Sequence, residues 1–280
     1  MKLHRYTTVQ EFRVQTEPLL LQNEAENNLI LGLSSTMTDS PKPVNGPWLF
    51  AIEDGGQIMA AALMADPRFG IVLTRGFACG ASLLTDALWQ EKSPLAKVNG
   101  PTDDSQAFAK LWASGSGVQI QPGMGLGIYA LQRVISPSGH CGKLRVAAQA
   151  DKRTLIEWMD NFVLEALGHP ATNPEKSVDA GIAKNSIFVW DIGEIVSMAA
   201  CTGPTPNGIR INQVFTPRRL RGRGYASACV AALSQSLLDS GRKFCFLFTD
   251  LSNPTSNSIY RKIGYEHVCD FQEYRFASTT

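Results

Sequence analysis

The sequence predicts an α+β protein made of two similar halves. Segments typical of strands and of helices alternate along the second half, and two of its features recur in the same order in the first half. For the second half we predict strands over 144–148, 186–190, 195–202, 209–216 and 244–249, helices over 151–167, 174–184, 224–240 and 256–263, and closing strands near 265–268 and 273–276.

The first recurring feature is a β-hairpin. Residues 48–62 and residues 186–200 each read as an apolar strand, a turn with an acidic residue and glycine, and a second strand ending in small residues. The second feature is a turn before a helix, since Gly100-Pro-Thr102 resembles Asn253-Pro-Thr255. Two matches in the same order predict two copies of one fold.

Segments rich in glycine and proline are predicted to be turns or links, and they lie at 40–47, 115–127 and 136–142. The last of these lies near the midpoint of the chain. We therefore predict one domain over 1–138 and a second over 142–280.

The composition is that of a globular protein with balanced charge. The 280 residues include 26 Lys and Arg against 25 Asp and Glu, and 44% are hydrophobic. A net charge of +1 argues against a nucleic-acid partner. We find no secretory signal and no run of the ~18 apolar residues that a membrane span needs. The six cysteines are scattered without metal-ligand spacing, so we expect reduced thiols, no metal and a cytoplasmic location.

The segment from Ile211 to Leu238 carries the strongest functional signal. An apolar strand is followed by a turn rich in glycine and arginine, and then by a helix that opens with small residues. This order places backbone N–H groups at a helix N-terminus, where the helix dipole also favours an anion. Gly222 and Gly224 permit a tight turn and close approach of a ligand, while Arg221 and Arg223 add positive charge.

A second signal follows the predicted strand over 244–249. Asn253 lies just beyond the strand, and Tyr260 follows seven residues later. Seven residues make about two helical turns, so both side chains point into the same neighbourhood. Two parallel strand ends that separate beside such a helix would form a cleft for an extended ligand.

These two segments resemble the motifs of the GNAT superfamily of acyl-CoA-dependent N-acetyltransferases. Arg221-Gly-Arg-Gly-Tyr-Ala226 fits the signature R/Q-x-x-G-x-G/A, and Asn253, Ser256, Tyr260 and Gly264-Tyr265 resemble the second half-motif. The likeness covers about residues 142–276. The signature also fits two residues earlier, from Arg219, but the later register leaves small residues to open the helix.

The resemblance implies that each half has a mixed, mainly antiparallel sheet flanked by helices, and that acetyl-CoA is the co-substrate. It further implies that the main chain of the glycine-rich turn holds the CoA pyrophosphate, that the preceding strand binds the pantetheine arm, and that Tyr260 protonates the leaving thiolate as general acid. The cofactor-binding residues implied are Val214, Phe215, Thr216, Arg221, Gly222, Arg223, Gly224, Tyr225, Ala226, Asn253, Ser256 and Tyr260.

Several interpretations stay open at this point. Tyr260 could pack in a helix core, and Asn253 could only cap the helix. The general base is unassigned, because the strand before the turn carries Asn212 and Gln213, which accept no proton at neutral pH. Water, Asp250 or Glu273 are the alternatives.

The first half departs from the GNAT pattern. If Gly100 aligns with Asn253, Ala107 takes the position of Tyr260, and the segment from Arg75 to Ala81 is a degenerate phosphate loop. We therefore expect the first domain to have lost cofactor chemistry, and to cover the acceptor side of the second domain or complete its sheet.

The expected function is transfer of an acetyl group to a primary amine of a small molecule or peptide, by direct attack on the thioester. The alternatives are a non-catalytic acyl-CoA-binding or regulatory module, and an enzyme that uses a longer acyl-CoA. A monomer and a homodimer remain equally open.

Overall fold

The computed structural model describes residues 1–37, 47–137, 139 and 141–277, and in this part of the chain all strands join in one sheet. The strands are β1 (Lys2–Tyr6), β2 (Trp48–Asp54), β3 (Gln57–Met64), β4 (Ile71–Leu73), β5 (Lys97–Pro101), β6 (Gln119–Leu131), β7 (Lys143–Val146), β8 (Ile187–Asp191), β9 (Ile195–Thr202), β10 (Gly208–Phe215), β11 (Phe244–Asp250) and β12 (Glu266–Ala277). The α-helices are α1 (Val9–Leu20), α2 (Asn28–Met37), α3 (Ala81–Gln90), α4 (Thr102–Ser116), α5 (Lys152–Leu167), α6 (Pro174–Ala183), α7 (Tyr225–Asp239) and α8 (Pro254–Ile263).

The strand order is β1-β2-β3-β4-β5-β12-β6-β11-β10-β9-β8-β7. Neighbouring strands are antiparallel except for the pairs β4 with β5 and β10 with β11. The two predicted hairpins are present as β2 with β3 and β8 with β9. The predicted α+β class with a mainly antiparallel sheet is therefore confirmed.

The two halves exchange strands at the centre of the sheet. β6, which ends the first half, lies between β11 and β12 of the second half. β12, which ends the second half, lies between β5 and β6. Each half therefore completes the sheet of the other. The predicted boundary at 138–142 falls between β6 and β7 and stays a prediction.

The central strands correct two sequence predictions. Residues 121–127, predicted as a turn, lie inside β6. Glycine is needed here because neighbouring side chains occupy the space of a Cβ atom. A Cβ on Gly123 would lie 2.5 Å from Glu273 Oε1, and one on Gly127 would lie 3.1 Å from Leu251 Cδ2. The two closing strands are one strand, β12, with irregular register at two points. The predicted turn at 40–47 lies outside the described residues except for Pro47.

Helices cover both faces of the sheet in each half. In the second half, α7 buries Val230 and Leu233 against one face, and α5 buries Leu155 and Trp158 against the other. In the first half, α3 and α4 pack on one core and α1 and α2 on another. Burial of apolar surface on both faces holds the sheet between these layers.

The halves also meet outside the sheet, where α2 packs against the turn between β9 and β10. A Cβ on Gly32 would lie 2.8 Å from the Cα atom of Gly203, so only glycine permits this approach. Before α2, the Glu24 carboxylate accepts hydrogen bonds from the Thr205 hydroxyl and from the Asn207 backbone N–H (2.8 Å). These contacts fix the first half beside β10.

Candidate functional site

A cleft opens between β10 and β11. These parallel strands pair only over Gly208–Arg210 with Phe244–Phe246, and then separate. β10 is irregular between Asn212 and Phe215, and Gln213 has a φ of 50°. Because a bulge bends its strand and leaves main-chain groups unpaired, the bulge turns β10 away from β11. The predicted separation of two parallel strand ends is present.

The glycine-rich turn continues from β10 into α7. Gly222 and Gly224 have φ values of 76° and 78°, in the left-handed region that favours glycine. Gly224 is the N-cap of α7, and because it has no side chain it caps none of the first N–H groups of the helix. The helix begins at Tyr225, and the small residues Ala226, Ser227 and Ala228 follow.

Two arginines of the turn behave differently. The Arg221 guanidinium donates from Nε to the Thr216 carbonyl (2.8 Å) and from Nη2 to Glu165 Oε2 of α5 (2.6 Å). It also lies 5.6 Å from the ring centroid of Phe215. Arg221 therefore fastens the turn to β10 and α5. Arg223 is exposed and forms no ion pair within the described residues, so its charge is available to an anion.

Glu165 holds the turn from the side of α5. Its Oε1 atom accepts from Arg218 Nε (3.0 Å), while Oε2 accepts from Arg221. Burial raises the pKa of Glu165, but the hydrogen bonds from both arginines outweigh burial and lower the pKa below its usual value. The carboxylate therefore stays ionised at neutral pH.

The three predicted pantetheine contacts lie at the end of β10. Phe215 is buried against Trp158, with ring centroids 6.2 Å apart. Thr216 is buried, and its Oγ1 lies 2.9 Å from Ser197 Oγ. Val214 packs on the core under α7. Val214 and Gln213 fall in the bulge, outside the regular register with β9, which leaves main-chain groups for a ligand.

Helix α8 carries the second predicted group. Asn253 caps the helix, because its Oδ1 accepts from the Ser256 N–H (3.1 Å). Tyr260 is half-buried and lies edge-on to Tyr265, with ring centroids 6.0 Å apart. Burial raises the pKa of Tyr260 to about 12, so the phenol remains protonated. No side chain of the described residues hydrogen-bonds its hydroxyl.

Sequence reasoning missed Asn257, which lies one helical turn before Tyr260. Asn257 is 5% exposed, and its Nδ2 donates to the carbonyls of Asp250 (3.1 Å) and Leu251 (3.4 Å). Its Oδ1 has no partner within the described chain. The i, i+3 spacing from Tyr260 was a signal that could have found it. Glu165 had no local signal, because its contacts with the turn are tertiary.

The two candidate bases have different surroundings. Asp250 is half-buried at the end of β11, and its Oδ1 accepts from the N–H and hydroxyl of Ser252 (2.8 and 2.7 Å). Glu273 is buried in β12 and accepts from Lys97 Nζ and Arg275 Nε, each at 2.6 Å. Since β6 and β11 separate β12 from β10, Glu273 does not border the cleft. Asp250 does.

The equivalent turn of the first half is closed by the protein itself. β4 and β5 pair over two positions, and Gly76 follows with a φ of 85°. The Asp104 carboxylate of α4 then accepts from the Ala78 N–H (2.8 Å) near the start of α3. Burial raises the pKa of Asp104 and outweighs this hydrogen bond. The Asp104 side chain therefore occupies the N–H group that an external anion would need at this turn.

A cavity of about 380 Å³ lies between residues 21–26 and the beginnings of β10 and β11, at the opposite end of both strands from the glycine-rich turn.

The described residues contain no group of three or more His, Cys, Asp or Glu side chains placed to hold a metal. No helix among them is long and apolar enough to cross a membrane.

This chain was compared with protein families, with curated proteins and with solved structures. Residues 193–276 match the model of the family described as FR47-like protein. None of the curated proteins matches the sequence. An X-ray structure of a Drosophila protein is similar at 12% identity and a TM-score of 0.67, and the match covers 98% of each chain.

Two further solved structures are similar over the whole chain. A GCN5-related N-acetyltransferase from Sphaerobacter thermophilus has 17% identity and a TM-score of 0.63, over 98% of this chain and 95% of the other. A tandem GNAT protein from the clavulanic acid biosynthesis pathway has 10% identity and a TM-score of 0.55, over 100% of both chains. At these identities the likeness shows the fold alone. The chain has a tandem GNAT fold, with an FR47-like match over residues 193–276, and the fold that the sequence resemblance implied is confirmed.

Proposed function

We propose that this protein transfers an acetyl group from acetyl-CoA to a primary amine of a small molecule or peptide, in the cleft between β10 and β11. The observation that carries the proposal is the bulge at Gln213, which opens the cleft directly before the uncapped N-terminus of α7. An opened strand pair next to an anion-binding helix end suits a long ligand with a pyrophosphate at one end.

The turn has the space and the charge for CoA. A Cβ on Gly222 would meet no atom within 4 Å, so the turn is open to a ligand. The N–H groups from Arg221 to Ala226 would bind the pyrophosphate, and Arg223 would add charge. Main-chain groups of Val214, Phe215 and Thr216 would hold the pantetheine arm, with Asn253 and Ser256 bordering it.

In the proposed reaction, the amine nitrogen attacks the thioester carbonyl carbon, and the C–S bond breaks to release the CoA thiolate. Tyr260 donates a proton to the thiolate, because its raised pKa keeps the phenol protonated. The tyrosinate regains a proton from solvent. The attacking amine loses its proton to water or to Asp250. No enzyme nucleophile is needed.

The second candidate is a non-catalytic acyl-CoA-binding or regulatory module. It is favoured by one observation: β10 carries Asn212 and Gln213 at the bulge, where a carboxylate could have served as base. An enzyme that uses a longer acyl chain is a variant of the first proposal. We expect a cytoplasmic protein, monomeric or homodimeric, and the net charge of +1 speaks against a nucleic-acid partner.

Calorimetric titration with acetyl-CoA and with free CoA, followed by thiol release against a panel of amines, tests the proposal. We expect micromolar binding and amine-dependent release. Binding without release from any amine would favour the regulatory module, and tighter binding of longer acyl chains would favour the variant. Absence of binding would overturn the assignment of the turn.

A further inference from the structure

Arg210 is a half-buried arginine whose charge the proposed reaction does not use. Nη1 donates to the Asn28 Oδ1 of α2 (3.2 Å). Within the described residues, no carboxylate forms an ion pair with it. Burial lowers its pKa to about 10, so the group is still a cation at neutral pH. A desolvated cation without a counter-ion is costly, and an incoming anion would relieve that cost.

Arg210 lies at the closed end of the cleft, next to the part of β11 that borders it. Arg210 pairs with Phe246 on β11, which is the last paired position before the strands separate. Its guanidinium lies 5.6 Å from the ring centroid of Phe248, two residues further along β11. The guanidinium therefore contacts the segment of β11 that borders the cleft. Phe248 is half-buried, so the guanidinium packs against an apolar ring.

Asn212 supplies a second polar group without a partner. It follows Arg210 by two residues on β10, so both side chains are on the same face of the strand. Its Nδ2 donates to Thr202 Oγ1 (2.7 Å), but its buried Oδ1 accepts no hydrogen bond within the described residues. Buried acceptors are rarely left unpaired, so a donor from a ligand would fit there.

We infer that the amine acceptor also carries a carboxylate, which the Arg210 guanidinium binds, while Asn212 Oδ1 accepts a hydrogen bond from its amino group. This inference rests on the proposed function and names its substrate class. The free donors of a guanidinium form a fork that matches both oxygens of a carboxylate. Two strand residues span roughly 7 Å, which suits an amino acid whose amine and carboxylate are separated by several bonds.

The first half contributes to this site through α2. Asn28 is fully buried, and its Nδ2 donates to the Ala25 carbonyl, which orients Oδ1 toward Arg210. Nη2 of Arg210 would lie 3.0 Å from a Cβ on Gly203, so a larger residue there would displace it. The packed contact between α2 and the turn before β10 therefore positions the guanidinium.

The test compares 5-aminopentanoate with its carboxamide, 5-aminopentanamide, using the full chain saturated with CoA. Calorimetry measures binding, and thiol release from acetyl-CoA measures turnover. We expect the carboxylate to bind about 10- to 100-fold more tightly than the carboxamide. R210M should abolish this preference and leave CoA affinity unchanged. R210K should keep part of it, because it keeps the charge but loses the fork.

R242M is the matched control, since Arg242 is half-buried and donates to Thr205 away from the cleft. It should keep the full preference. Equal binding of the two probes, binding of neither, or a preference that survives in R210M would each overturn the inference. The binding measurement does not need turnover. Carboxylate-selective binding without thiol release would therefore contradict the proposed transferase and still support the Arg210 site.

Discussion

The two halves differ at the turn that precedes a helix. The turn before α7 has no side-chain cap, whereas a side chain hydrogen-bonds to the turn before α3. In the second half, the turn before α7 has left-handed glycines at 222 and 224, and Gly224 caps the helix without a side chain. In the first half, the turn before α3 also has a left-handed glycine, Gly76, but Asp104 accepts a hydrogen bond from the Ala78 N–H. Glycine shapes both turns, and in the first half a carboxyl group of α4 already accepts a hydrogen bond from the turn.

The comparison shows that a side chain can close the turn before a helix while the fold around it is kept. A carboxylate from α4 satisfies the N–H groups that a phosphate would otherwise need to reach. The first half keeps its sheet and helices, because its structural role remains: it supplies β6 to the second half and holds α2 beside β10.

The largest effect is expected from separating the halves. Residues 142–280 alone lack β5 and β6, so β11 would lose the neighbouring strand on one side and β12 would lose its neighbours on both sides. We expect this fragment to lose cooperative unfolding and CoA binding. Urea denaturation followed by circular dichroism checks this. A fragment that unfolds cooperatively and binds CoA would show that the second turn works without the first half.

Substitution of the glycines compares the turns directly. Gly224→Val should weaken CoA binding by more than about 100-fold, because several charge-assisted hydrogen bonds are lost together. Gly76→Val imposes a similar backbone strain, of roughly 1–2 kcal/mol, in the closed turn and should leave CoA binding unchanged. Calorimetry of both variants measures this difference. If the two variants weaken CoA binding equally, the assignment of the pyrophosphate site is wrong.

Tyr260→Phe removes the proposed proton donor, at the position that the alignment of the two halves gives to Ala107. We expect kcat to fall about 100-fold with little change in CoA affinity. Tyr265→Phe is the control, because the Tyr265 hydroxyl lies 2.9 Å from Ser234 Oγ in the core. It should lower the free energy of unfolding by about 1 kcal/mol and spare kcat. Unchanged kcat in Tyr260→Phe would instead support a packing role for this tyrosine.

Asp104→Ala should open the closed turn. Without the carboxylate, the Ala78 N–H is free to bind an anion, at a cost in stability of about 1 kcal/mol. We expect calorimetry with inorganic pyrophosphate to show a second, weaker site per chain. Asp104→Asn keeps an acceptor oxygen and should show no second site. The explanation fails if Asp104→Ala also binds a single pyrophosphate.

The smallest effect concerns Glu165, whose side chain is 31% exposed. Since its folded pKa is lowered, its ion pairs stabilise the turn above the unfolded pKa and lose this effect as the pH falls through the folded pKa. Glu165→Gln should reduce stability at neutral pH by at most about 0.5 kcal/mol. Below pH about 4.5, the Tm of this variant should also decrease less steeply with falling pH than the Tm of the unaltered protein. An acid-side slope equal to that of the unaltered protein would contradict this role.

Local patterns in the sequence determined much of this protein. The strands and helices of the second half follow from hydrophobic periodicity, and the start of α7 follows from the glycines before it. The spacing of Asn253 and Tyr260 places both on α8, although the cap formed by Asn253 was only one of two interpretations. Each of these features depends on residues within a few positions of each other.

Only the tertiary structure decided the centre of the sheet and the surroundings of the charges. β6 contains glycines and a proline that disfavour a strand, and it is a strand because β11 and β12 pair with both its edges. Asp104 closes one turn, Glu165 fastens the other, and Asn28 orients Arg210, each across a contact between distant segments. Local propensity carries no information about such contacts, because packing alone brings these residues together.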